Sequence, residues 1–155
     1  MGLESLIVPY SKALKGEIQK YLPEPRLISS IFFGGGTPSY LPVKILAELL
    51  HFIKEHFQIK PDVEITLEVN PGTIDGPELA LLKAAGFNRL SIGLQAWQDY
   101  LLRNIGRIHS LVDFLKIYQA GRNASFSNIG IDIIFGLPGQ TVQDWAETLR
   151  AVAFL

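Results

Sequence analysis

The chain has 155 residues, 48% of them hydrophobic and 19% charged, with a formal net charge of −1 and no cysteine. This leaves room for one domain with a core, excludes an intrinsically disordered chain, and gives no electrostatic case for nucleic acid or an anionic membrane. Without cysteine, disulfides, thiolate-held metals, iron–sulfur ligation and a cysteine nucleophile are excluded for this chain by itself.

There is no secretory h-region and no apolar run long enough to span a bilayer, so a soluble, cytoplasmic protein is expected. In chain order, Val8 to Tyr21 has helical spacing, and Pro23 and Pro25 are placed to stop it. A short apolar strand from Ser30 to Phe33 then ends abruptly in Gly34-Gly35-Gly36-Thr37-Pro38-Ser39. Strand interiors disfavour glycine, so three in a row mean either bare backbone offered to a ligand or a tight strand-to-helix turn without one. A helix is predicted from Val43 to Phe57, with Pro42 suited to its first turn. Asp62 to Val69 alternates strictly, and Asn70-Pro71-Gly72 closes it as a turn.

Pro77 opens a helix to Ala85, where Gly86 supplies a left-handed cap. Arg89 to Gln95 is a third strand, and a short helix from Asp99 to Asn104 leads into Gly106-Arg107-Ile108-His109. Ser110 with Asp113 starts the next helix as a capping box. Ile129 to Phe135 is the fourth strand, ended by Gly136-Leu137-Pro138-Gly139, and Thr141 with Asp144 opens a last helix. The run from Ala85 to Gly93 matches that from Ala124 to Asp132 as helix end, cap and strand, with Ser125 standing where Gly86 stands. Such repeated βα units point to an α/β fold with a parallel sheet or barrel.

Three strands pair an apolar face with a polar or small one. Val63, Ile65, Leu67 and Val69 oppose Glu64, Thr66 and Glu68; Leu90, Ile92 and Leu94 oppose Ser91, Gly93 and Gln95; Ile129, Ile131, Ile133 and Phe135 oppose Gly130, Asp132, Ile134 and Gly136. Helices against the apolar face and a ligand-bearing interior on the other account for this. An antiparallel sheet with its polar face in water is the alternative, disfavoured by the helical patterns between strands. Glu68, Gln95 and the Gly34–Gly36 loop fall at C-terminal strand ends, the edge where α/β folds bind ligands. Asp132, between two isoleucines, reads as a buried carboxylate that needs hydrogen-bond donors or a cation. Phe52, Phe57 and Phe114 are expected in the core. His51 and His56 are not spaced three or four apart as helical zinc ligands are, and read as surface residues.

Five blocks occur in order: Phe33-Gly34-Gly35-Gly36-Thr37-Pro38-Ser39, Glu64 to Gly72, Asn88 to Gln95, Gly106-Arg107-Ile108-His109-Ser110, and Asp132 to Gln140. Together they resemble the radical S-adenosylmethionine proteins of the oxygen-independent coproporphyrinogen III oxidase family. Asn70 and the Gly106–Ser110 run are most similar to its haem-chaperone (HemW-type) branch. The resemblance implies a partial (β/α) barrel of the radical-SAM type, about four parallel strands with helices on the outer face.

The resemblance also implies a site. Gly34, Gly35, Gly36 and Thr37 would meet the methionine part of S-adenosylmethionine with backbone groups, and Glu68 would accept from its amino group or a hydroxyl. Gln95 and Asp132 would hold ribose hydroxyls, and Arg107 would pair with the ligand carboxylate through its planar fork. His109 would touch ligand or orient the loop around Arg107. Each residue also has a plainer reading: Glu68 as a solvated strand-end charge, Gln95 as a turn cap, Arg107 as a surface arginine.

In the family, cysteines ahead of the segment corresponding to Val8–Tyr21 hold a 4Fe–4S cluster, and this chain has none. Residues 1–155 therefore read as an incomplete radical-SAM core domain without the cluster-binding segment or the family's C-terminal domain, unable to bind the cluster or perform the family's chemistry alone. A truncated gene, a mis-called start and a cluster-free module all fit. Two classes stay open for the parent: an enzyme decarboxylating porphyrinogen propionates, or a binding protein carrying haem to acceptor proteins. A third reading is an inactive truncated product. An incomplete barrel leaves strand edges unpaired, a route to self-association.

Overall fold

The computed structural model describes residues 4–22 and 27–155. Among the described residues six α-helices and four strands alternate, except that α4 and α5 follow one another: α1 Ile7–Gln19, β1 Leu27–Phe33, α2 Val43–His56, β2 Gln58–Val69, α3 Gly76–Ala85, β3 Arg89–Gln95, α4 Asp99–Asn104, α5 Leu111–Asn123, β4 Asn128–Ile133 and α6 Val142–Ala153. Pro23 and Pro25, read as the stop of the first helix, lie outside the described residues. The strands form one sheet in the order β1-β2-β3-β4, and every pairing is parallel. The antiparallel alternative is thereby excluded.

The apolar strand face makes the core. Ile65, Leu67, Leu90, Ile92 and Leu94 are buried against Leu46 and Leu50 of α2, Leu79 and Leu82 of α3, and Phe114 and Ile117 of α5. Each such side chain contributes about 1.5–3 kcal/mol on full burial. The buried positions of α5, Phe114, Ile117, Tyr118 and Gly121, recur at helical spacing. Gly121 lets this helix settle on the sheet, since a Cβ there would come to 3.1 Å from both Ile129 and Leu90 side chains.

Local signals explain the helix starts. Ser110 with Asp113 and Thr141 with Asp144 form reciprocal capping boxes, and Asp75 with Glu78 forms a third that the sequence reading missed. Gly86 caps α3 at φ +111°, and Ser125, its counterpart, takes φ +66° without glycine's freedom.

Four expectations are corrected. β1 and β2 begin earlier than read, at Leu27 and Gln58, because a register shift between Ile28 and Ser30 absorbs Pro61 without breaking the pairing. β4 stops at Ile133, so Phe135 is not a core residue; it is 71% exposed and meets Trp145 edge-on at 5.2 Å. Phe114 is fully buried, but Phe52 and Phe57 are only half-buried, Phe52 lying against His56 at the surface. Asp132 is exposed, since no described strand covers the outer side of β4. His51 and His56 are exposed, as read.

Candidate functional site

The polar strand face ends, at the C-terminal edge of the sheet, in a cleft of about 280 Å³. Gly36 and Thr37 after β1, Glu68 and Asn70 at the end of β2, Ser91, Gly93 and Gln95 of β3, Asp132 of β4 and Arg107 after α4 all line it. Residues far apart in sequence meet there because parallel strands all point their C-terminal ends the same way. Gly34 and Gly35 face elsewhere, lining with Gly36 and Thr37 an apolar cavity of about 390 Å³ between α1, β1 and α2. Gly34 still abuts the cleft: a Cβ on it would come to 3.0 Å from Glu68 Oε1.

Each polar group has a defined setting. Asp132 accepts from Ser91 Oγ at 3.0 Å on both carboxylate oxygens, which supplies the donor expected for it although it is not buried. Gln95 adopts φ +72°, a conformation that costs a non-glycine residue about 1–2 kcal/mol. That turn sits at the register shift between Gly93 and Gln95, and Gln95 O accepts from Ile134 N at 2.9 Å. Its side chain and that of Glu68 make no hydrogen bond to any described residue. Arg107 Nη1 donates to Asn70 Oδ1 at 3.3 Å, and Asn70 Nδ2 donates to Thr37 Oγ1 at 3.0 Å.

His109 stands behind Arg107 and does not line the cleft. It is buried, with Nε2 facing Leu94 O at 3.5 Å. Burial holds its imidazole below the ordinary 6.5; the Leu94 carbonyl opposes this, and the Arg107 charge adds to it. Sequence reasoning missed Ser91, Gly93 and Asn70 as cleft residues. Ser91 and Gly93 were legible as the polar-face positions preceding Gln95, and Asn70 as the first residue past a strand end.

Two carboxylates and one guanidinium leave the cleft with one negative charge in excess, beside an uncommitted amide and a hydroxyl. This set suits a small ligand with more positive than negative charge and several hydroxyls. Among the described residues no group of three or more acidic or histidine side chains forms a metal site.

The profile of the Radical SAM superfamily matches residues 12–152. The chain is 38% identical over 149 residues to the "Heme chaperone HemW" of Synechocystis, covering 96% of this chain and 36% of that protein. It is 37% identical over 148 residues to the oxygen-independent coproporphyrinogen III oxidase of Escherichia coli, covering 94% of this chain and 32% of that one. The solved structure of the Escherichia coli coproporphyrinogen III oxidase (HemN), titled a radical SAM enzyme, superposes with a TM-score of 0.88 at 35% identity. That superposition covers 99% of this chain and 36% of the solved chain. The chain thus spans about a third of the length of these relatives. The shared architecture is the partial (β/α) barrel, four parallel strands backed by helices. On its fold and on this match along nearly its whole length, the chain belongs to the radical SAM superfamily.

Proposed function

We propose that the chain is the S-adenosylmethionine-binding part of a radical-SAM haem chaperone, residues 1–155 being an incomplete core domain. The observation that carries this reading is the single cleft uniting Thr37, Glu68, Gln95, Arg107 and Asp132. S-adenosylmethionine brings a sulfonium, an ammonium, one carboxylate and a ribose diol. Arg107 pairs with the carboxylate, Glu68 accepts from the ammonium, and Gln95 and Asp132 hold the ribose hydroxyls. The Gly36–Thr37 backbone, the part of the glycine loop that lines the cleft, receives the methionine portion.

Iron–sulfur clusters are held by thiolates, and the sequence has no cysteine. The residues of this chain therefore do not fit a 4Fe–4S cluster, and no radical chemistry is assigned to them. Reading the genomic DNA upstream of Met1 for in-frame cysteines tests whether the parent holds one.

Asn70 and the Arg107-Ile108-His109-Ser110 run favour the haem carrier for the parent. The superposition on the Escherichia coli enzyme favours the second reading, oxidative decarboxylation of coproporphyrinogen. The proposed compartment is the cytoplasm; among the described residues no helix is long and apolar enough to cross a membrane.

Calorimetry on the 155-residue chain tests the ligand. A few charge-assisted contacts of about 1.5–3 kcal/mol each, less the cost of ordering ligand and loops, set the dissociation constant at roughly high-micromolar to millimolar. Arg107→Lys weakens binding further, because lysine keeps the charge but loses the fork. Sub-micromolar binding, or binding indifferent to Arg107, would overturn the assignment.

A further inference from the structure

Asn70 stands where two cavities meet. The polar cleft and an outer groove of about 690 Å³ share three lining residues, Thr37, Asn70 and Arg107, and these are the three that the Asn70 amide joins. Arginine only donates, so the amide oxygen faces Arg107 and the amide nitrogen faces Thr37. The backbone of Asn70 is itself fixed: its N–H donates to Ser39 Oγ at 3.3 Å, and its carbonyl accepts from Thr73 Oγ1 at 2.7 Å. The Ser39 and Thr73 hydroxyls are 2.6 Å apart and close the ring. On the other side Gly93 leaves the space the amide occupies, since a Cβ there would come to 3.0 Å from Asn70 Oδ1.

The chemistry of an amide matters at this point. A neutral oxygen takes one guanidinium N–H and leaves the cation and its other donors for an anionic ligand group, whereas a carboxylate would pair with the charge itself.

We propose that Asn70 is a positioning residue: it aims Arg107 at the ligand carboxylate and ties that aim to Thr37 in the glycine loop. This deepens the S-adenosylmethionine reading and rests on it. Thr37 Oγ1 is the fixed anchor of this amide, so losing the amide is read through carboxylate recognition alone.

The test is ligand-observed NMR, which reads millimolar affinities, on the 155-residue chain with S-adenosylmethionine and its decarboxylated analogue. Asn70→Leu, close in shape but unable to hydrogen-bond, is expected to lose about tenfold in affinity for S-adenosylmethionine and under about twofold for the analogue. In an Arg107→Ala background the same substitution costs nothing further. Asn70→Ala gives the same pattern and serves if the leucine variant does not fold. Equal losses for both ligands, or a full loss persisting without Arg107, would make Asn70 a structural residue and overturn the inference while the ligand reading stands. Failure of the unsubstituted chain to bind either ligand would overturn both.

Discussion

The polar face of the sheet has two levels, and they treat their polar groups in opposite ways. Toward the N-terminal strand ends, Arg89 Nη1 donates to Thr66 Oγ1 at 3.3 Å and lies 3.6 Å from Glu64 Oε1, while Asn128 Nδ2 donates to Glu64 Oε2 at 3.3 Å. Gly130 leaves the space the guanidinium fills, a Cβ there coming to 3.1 Å from Arg89 Nη2. This floor is satisfied within itself. Two to six residues further along the same strands, Glu68 and Gln95 have no partner among the described residues, and Arg107, in the loop after α4, is held only by a neutral amide. These unpaired atoms open onto the cleft and are not buried, so they stay available to a ligand at no cost in unsatisfied burial. Alternation in the sequence gives the two levels the same signature; only the partners tell them apart.

Substitutions on each level separate the two roles. The largest effect is expected from Gly93→Ala in the cleft. The new Cβ would meet Gln95 Nε2 at 2.6 Å and Asn70 Oδ1 at 3.0 Å, both ends of side chains that can swing away. Affinity for S-adenosylmethionine falls by about tenfold or more, as for the loss of two charge-assisted or amide contacts. The urea midpoint barely moves, because the strand backbone accepts alanine. A destabilised chain with unchanged affinity would break the comparison.

Arg89→Met on the floor should do the reverse. It removes a guanidinium whose side chain is 27% exposed beside a more exposed Glu64, so the cost is about 1 kcal/mol of stability, read by urea unfolding. Ligand affinity stays within about twofold. A larger effect on affinity than on stability would merge the two levels into one site.

The smallest effect concerns the support behind Arg107. The folded His109 imidazole sits below its ordinary 6.5, so on acidification the unfolded chain takes up the proton first. Its contribution to stability is whole above about pH 6.5 and is lost as the pH falls through the folded value. His109→Gln, which can still donate to Leu94 O, should flatten the urea midpoint between pH 7 and pH 5. An unchanged slope would show that His109 is solvated and does not brace the Arg107 loop.

Much of the fold was legible where a local device marks each boundary. β3 and α4 have the expected limits, Arg89–Gln95 and Asp99–Asn104. Gly86 marks the approach to the one, and the polar run around Gln98 and Asp99 the start of the other. Ser125 was read as the counterpart of Gly86, and it does adopt the left-handed cap conformation. β2 was read from Asp62, where strict alternation begins, yet it starts at Gln58, since pairing with β1 through a bulge tolerates Pro61. Asp132 was read as buried from its isoleucine neighbours. Whether a residue on the last strand is covered depends on what lies beyond that strand, which no local pattern encodes. The strand-end residues of the site were legible from period two. The Thr37–Asn70–Arg107 bridge was not, since it joins three loops whose meeting is set by the sheet.

The sheet order β1-β2-β3-β4 repeats the order of synthesis. Each strand finds its partner in the strand made just before it, and no described strand waits for a later one to be inserted between itself and its neighbour. Such a topology keeps contacting residues close in sequence, which shortens the loops that must close before pairing is rewarded. A nascent chain can therefore lay down one βα unit against the last as it leaves the ribosome. The cleft is completed only when Asp132 arrives, so the ligand-binding edge becomes competent late in this segment, with only α6 still to be made.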